Sequence, residues 1–356
     1  MNDFTATHFR FEVEALTTLA FDDYTGSALR GGLVTALQRN FCPVNDQADA
    51  AHQAICPVCW LLSHEATPGD SRRPYAIEPL LPGSVGPTAA DLRGAAQRPA
   101  RAGFWFVPGE RFQFGLTLFG QAVNLFPYLV LAVPRMGADG IGRKTLTPGP
   151  SPRTGEGSWR RGRFVLRAIE EVNPLTATRR TLMGEGQQMV QTPQNPVSSA
   201  QVQAAAGQVA QRVQANGGQL SLRFLTPARI IYEKKLVHQP HFRPLFQRLL
   251  ERVNELQRTF GQATEPPPWQ DLLALADQVT LAQDDTGWWD VQGRSSRLER
   301  EQQLGGFVGL ATYSAPPEVW PPLLPWLIWG MSTHVGKNAV KGSGWYSLSV
   351  GDKVTG

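Results

Sequence analysis

Residues 9–16 alternate apolar and polar side chains, the signature of a strand with one buried face. The period then changes. Leu29, Leu33, Ala36 and Leu37 share one face of a helix with Ser27 as its N-cap, and Arg30 and Arg39 stay off that face. Residues 104–107 and 111–119 read as strands, 121–136 as a helix bounded by Pro127 and Pro134, and 163–169 as another strand. The second half repeats this order. Residues 220–225, continued by 230–236, form a strand, and Phe242, Leu245, Phe246, Leu249, Leu250, Val253 and Leu256 mark a long helix. Short strands over 279–283 and 288–291 and a glycine-tolerant one over 306–313 follow. The last helix, 316–331, is entered through Pro-Pro, as first helical turns allow, and 345–350 closes the chain as a strand.

Both halves thus run strand, helix, strands, helix, strand. The fold class predicted is α+β, with two tandem ferredoxin-like domains over 1–186 and 220–356. A Cys-rich insertion, 42–64, interrupts the first domain. A Pro/Gly/Ser/Arg-rich segment, about 144–162, reads as a disordered insertion beside a compact glycine turn. Residues 187–219, polar and repetitive, read as a linker with a short surface helix. Arg243, Arg248 and Arg252 lie off the helical stripe and read as a solvated basic face.

The length of 356 residues suffices for two cores, and 42% hydrophobic with 18% charged residues is ordinary globular composition. A net charge of +4 and a sequence pI near 9.1 lean mildly towards a polyanionic partner. No basic segment followed by a long apolar core opens the chain, and prolines break its longest apolar runs. The expectation is a cytoplasmic protein without a membrane association.

Candidate chemistry gathers in two places. Residues 326–346 run from a Trp-rich helix into His334, Gly336, Lys337, Lys341, Gly342 and Gly344. Glycines let backbone N–H groups approach an anion and lysines add point charges, so the loop suits a phosphate; a helix cap with a tight turn is the plainer alternative. His334 could exchange a proton near neutral pH, or cap the helix and orient the loop. Second, three cysteines are too few for a disulfide framework, and Cys42, Cys56 and Cys59 with His64 follow a spacing suited to tetrahedral, structural zinc. Three small buried thiols are the alternative. Arg143 and Arg163 beside the first domain's glycine turn, and Arg294 and Arg297 in a Gly-Arg-Ser-Ser-Arg turn, are further cations that could meet a polyanion. Trp288 and Trp289 are aromatic rings that could stack on a planar ligand group.

HVGKNAVKGSGWY, preceded by GGFVGLATY, resembles the C-terminal domain of the CRISPR precursor-RNA endoribonuclease Cas6, and GSALRGGLVTAL resembles that family's first helix. The Cys-rich segment, FGLTLFG and RPLFQRLL resemble a subgroup of the same family. The likeness spans most of the chain apart from the insertion and linker. It implies a repeat-associated (RAMP) protein of two RRM-like domains that binds CRISPR repeat RNA, as monomer or homodimer. It also implies one cut per repeat without a catalytic cofactor, the ribose 2′-OH attacking the adjacent phosphate. Many members carry a histidine in or just after the first helix; here Thr35 stands about where it is expected. Members lacking it use lysine or tyrosine, so the candidate catalytic set is His334, Lys337 and Tyr24. Arg30, Arg39, Gly336, Lys341, Gly342 and Gly344 join the four arginines above as RNA contacts. The missing histidine favours an alternative, a non-catalytic RNA-binding subunit of a CRISPR effector complex.

Overall fold

The computed structural model describes residues 4–44, 50–63, 73–81, 103–147, 158–262, 265–295, 300–351 and 353–355. The first domain contains β1 (Thr5–Ala15), α1 (Gly26–Phe41), β2 (Tyr75–Glu78), β3 (Arg111–Phe119), α2 (Phe126–Asp139), β4 (Phe164–Asn173) and β5 (Thr178–Met183). Its strands lie in the order β2-β3-β1-β4-β5, every neighbouring pair antiparallel. After α3 (Ser199–Ala215) come β6 (Gln219–Ala228), α4 (Phe242–Phe260), β7 (Thr280–Trp289), β8 (Gly306–Ser314), α5 (Trp320–Thr333) and β9 (Tyr346–Val350). The second sheet has the order β7-β8-β6-β9, with Lys353–Thr355 paired beyond β9, again antiparallel. In both sheets the first strand lies between the third and fourth of a βαββαβ unit, which is the ferredoxin-like topology expected.

Strand alternation decides which face meets the helices. On β1, Phe9, Phe11 and Val13 enter the first core with Leu29, Leu33, Ala36 and Leu37 of α1, while Arg10, Glu12 and Glu14 point to the other face. The two domains do not have separate cores. Phe4, Ala6, Ala76 and Phe119 of the first domain join the second domain's apolar cluster, and the Phe4 ring lies 4.8 Å from that of Trp329. Backbone approaches at glycine tighten this seam: a Cβ on Gly120 would lie 1.9 Å from the Phe260 carbonyl oxygen.

Four expectations are corrected. The segment read as a linker contains a 17-residue helix with a Ser198–Gln201 capping box. Its Val202, Ala206, Val209 and Val213 are buried against the second domain's core, and Val197–Ser198 pairs with the start of β1. The segment read as disordered has ordered flanks: Ile141–Thr147 and Ser158–Gly162 pair as an antiparallel hairpin. Residues 230–236 do not prolong β6 but turn back as a small hairpin, Ile230–Tyr232 with Lys235–Val237. Arg252 is buried, not solvated, and its guanidinium donates 2.5 Å to the Thr333 carbonyl at the end of α5. Among the described residues no helix is long and apolar enough to cross a membrane.

If α3 is part of the core, Val209→Ala should lower the unfolding free energy by roughly 2 kcal/mol. Gln208→Ala, on the helix's exposed side, should leave it unchanged within error. Urea unfolding of both variants checks this, and equal midpoints would restore the linker reading.

Candidate active site at the domain junction

The glycine-rich loop is wedged between the domains. Gly336, Gly342 and Gly344 all have positive φ, at 83°, 89° and 72°. A Cβ on Gly344 would lie 1.8 Å from the Val335 carbonyl oxygen, and one on Gly342 would meet Pro79 and the Ile77 carbonyl. Only glycine fits both backbone and space there. The N–H groups of Val335, Lys337, Lys341, Gly342, Ser343, Gly344 and Trp345 are all donated within the protein. The glycines therefore serve close packing first, and recognition of an anion falls mainly to side chains around the loop.

Those side chains come from both halves. The Tyr24 hydroxyl donates 2.5 Å to the Lys341 carbonyl and lies 3.0 Å from the Ser343 hydroxyl. Burial holds its phenol well above the ordinary range. Beside it α1 begins so close that a Cβ on Gly26 would overlap the Lys341 carbonyl oxygen. One turn on, half-buried Arg30 donates 3.2 Å to the Tyr75 hydroxyl. Lys341 is pushed down to about 8 by burial, then by Arg30 and Arg73. The charges acting on it are thus cations from the first domain. Lys337 stays exposed at the rim, and its N–H donates 2.9 Å to the Arg229 carbonyl.

His334 lies elsewhere in kind. It terminates α5 with φ 61°, is fully buried, and stacks on Trp345 with ring centroids 5.9 Å apart. Burial, then Arg252, His8 and Arg10, hold it well below the ordinary histidine range, so the ring is neutral and closed off from solvent. Beneath it a polar bridge crosses the seam. His8 meets Glu78 at 2.7 Å and the Ser332 hydroxyl at 2.9 Å, while Thr117 donates 2.7 Å to Glu78. Arg10, in contact with Glu78 and 5.7 Å from the Trp345 ring centre, supplies the compensating charge. Burial and then Arg10 push His8 down to about 3, so it stays neutral and donates to Glu78. The bridge has no signature in the sequence because its members are far apart in the chain.

The other candidates scatter. Arg39 is exposed at the last turn of α1. Arg143 is exposed with Asp22 at 3.7 Å, and Arg163 is exposed at the base of the hairpin. Arg294 lies in a second hairpin, Gln292–Ser295 with Arg300–Gln303, opposite Glu301; Arg297 falls outside the described residues. Trp289 donates 3.2 Å to Asp23 and packs edge-on against Tyr24. Trp288, 38% exposed, lies tilted against the His238 ring, with centroids 4.6 Å apart. The sequence carries no local signal for His238 or for the cations Arg73 and Arg229.

The three cysteines are brought together, and among the described residues His52 joins them. Ligand atoms of Cys42, His52, Cys56 and Cys59 all lie within 4.8 Å of one another. The Cys42 sulfur is 3.3 Å from His52 Nε2 and 3.6 Å from the Cys59 sulfur. Tetrahedral coordination at zinc–sulfur lengths requires ligand edges of about 3.7 Å, so the set fits a closed metal site. His52 supplies a fourth ligand atom; His64 falls outside the described residues. Burial, then bonds to Cys42 and Cys56, push the Cys59 thiol up to about 12. A divalent cation would reverse that by stabilising thiolates.

Two ferredoxin-like domains share one seam, with a cationic glycine-rich loop at the junction. Residues 222–346 match the family model of the CRISPR-associated endoribonuclease Cas6, and 4–195 match a model described as an N-terminal domain. Among solved structures, Thermus thermophilus Cas6 is similar at 13% identity over 97% of this chain and 99% of that one, with a TM-score of 0.52. A Cas6 product complex is similar at 16% identity over 97% of this chain and 100% of that one, TM-score 0.51. A partial Cas6-RT-Cas1–Cas2 complex is similar at 12% identity and TM-score 0.58, over 99% of this chain but only 47% of that one. No curated protein matches the sequence. Residues 222–346 thus match Cas6 by sequence, and the fold of the described residues is that of the solved Cas6 structures.

Tyr24→Phe removes a buried donor and leaves the Lys341 carbonyl short of a partner, so it should cost about 1–2 kcal/mol of stability. Thermal unfolding beside wild type checks this; an unshifted midpoint would mean the tyrosine does not hold the loop.

Proposed function

We propose that the protein binds CRISPR repeat RNA and cleaves it at the junction of α1 and the glycine-rich loop, using no catalytic metal. The observation carrying this reading is Lys341, held near pKa 8 among cations contributed by the other domain. A neutral amine there accepts the proton of a ribose 2′-OH. The 2′-oxygen then bonds to the adjacent phosphorus, and the bond to the 5′-oxygen breaks. The leaving oxygen takes a proton from the exposed Lys337 ammonium, giving a 2′,3′-cyclic phosphate and a 5′-OH. Arg30 offsets charge on the phosphorane. Tyr24 positions the loop through its carbonyl bond. His334, buried and neutral, acts as a positioning residue for Trp345 and the loop, replacing the proton-transfer role suggested by its sequence position. Arg39, Arg143, Arg163, Arg294 and Arg297 remain proposed backbone contacts for the RNA, and Gly336, Gly342 and Gly344 give the loop its close fit.

The burial of His334 and the lack of histidine in α1 favour one competing reading, a protein that holds RNA without cutting it. Lys341 variants separate the two. Lys341→Ala should slow cleavage about 10²–10⁴-fold, the usual worth of a general base, while repeat affinity falls by about tenfold or less. For wild type, activity should rise with pH and level off above about 8, because the neutral amine is the reactive form. Lys341→Arg, charged throughout, should remain slow at every pH. Full activity in Lys341→Ala would move the chemistry away from this residue.

Cys42, His52, Cys56 and Cys59 are proposed to hold one structural zinc, joining the end of α1 to the short helices Ala50–Ile55 and Pro57–Ser63. The purified protein should contain about one zinc per chain by elemental analysis. Cys59→Ser should lose it and unfold at lower temperature. Metal-free wild type with unchanged melting would contradict the assignment.

A further inference from the structure

The ordered hairpin of Ile141–Thr147 and Ser158–Gly162 has a surface that the junction does not use. Its base is fastened to the domain: a Cβ on Gly142 would lie 2.3 Å from the Ala20 carbonyl oxygen, and one on Gly162 2.4 Å from that of Thr18. From this base the strands project roughly 15 Å. The pairing places Lys144 directly opposite Arg161, with Arg160 on the other side of the ribbon. Like charges in a facing pair destabilise an antiparallel ribbon, and both side chains are exposed. Trp159, two residues before Arg161 and on the same face, is 66% exposed. A pair of cations beside an exposed indole matches a nucleic-acid strand, whose phosphates offset the repulsion while a base stacks on the ring.

The position of the hairpin's base matters too. Asp22, the residue facing Arg143 at its base, is followed in the chain by Asp23, which holds Trp289, and by Tyr24, which holds Lys341. The hairpin therefore starts beside the candidate active site. We propose that it is an arm docking single-stranded RNA that flanks the repeat, with Lys144 and Arg161 on phosphates and Trp159 under a base. This rests on the reading of the junction as an RNA site. An exposed stacking platform favours an unpaired strand over a duplex, whose bases are not free to stack on a side chain.

The test uses the full chain and two RNAs, the bare repeat and the repeat with single-stranded extensions. Wild type should bind the extended RNA about tenfold more tightly, in the range of one stacked base with its neighbouring phosphates. Trp159→Ala and the double variant Lys144→Glu/Arg161→Glu should abolish that gain and bind the bare repeat as wild type does. The double variant should also show a shallower salt dependence on the extended RNA, by about 0.7 in log–log slope for each phosphate it no longer neutralises. Variants that keep the full gain, or an equal weakening on both RNAs, would overturn the arm while leaving the junction intact. Failure of wild type to bind either RNA would overturn both.

Discussion

The polar bridge from His8 and Glu78 to Ser332 is the constraint on which the rest depends. Taking a carboxylate and a guanidinium out of water costs several kcal/mol unless each is paired and bonded, and Glu78 is met by His8, Arg10 and Thr117 together. Such a cluster has one satisfied geometry, so it fixes how the first sheet sits against α5 while the shared apolar seam supplies the adhesion. Everything at the junction follows from that placement. The glycine-rich loop is pressed against Ile77–Pro79, Tyr24 reaches its carbonyl, and Arg30 comes close to Lys341.

The distribution of compensated charge separates this junction from the open face of the first sheet. There Arg111 lies within 3.2 Å of Glu12, Glu14 and Glu185, and Arg167 bridges Glu14 and Glu185. Exposed pairs of this kind contribute little stability, but they cancel the field a polyanion would feel. At the loop the balance is reversed, with Arg30 and Arg73 both repelling Lys341. A modest net charge of +4 is therefore unevenly distributed, with several cations close together at the loop.

Period and punctuation made much of the fold legible. The βαββαβ order, the faces of α1 and α4, and the loop's need for glycine could all be read from local pattern. What failed was set by tertiary partners. His334 looked like an available imidazole because nothing nearby in sequence announces that Trp345 will cover it. His52 carried no local signal as a ligand, yet the short helix Ala50–Ile55 brings it to Cys42. The buried side of α3 was visible at Val202, Ala206, Val209 and Val213, a helical period diluted by glutamine and alanine. The hairpin was hidden by the Pro/Gly character of the residues between its strands.

The central claim is that this junction performs transesterification through a ribose 2′-OH. The most direct measurement is cleavage of the repeat RNA by wild type in EDTA, beside the same RNA with one 2′-deoxy nucleotide at the cut. The account predicts metal-independent cutting that leaves a 2′,3′-cyclic phosphate, and tight binding without cutting for the deoxy substrate. Cleavage of the deoxy substrate, or a strict need for a divalent ion, would contradict it, and binding without cleavage of the natural RNA would leave a holder of RNA in place of a nuclease.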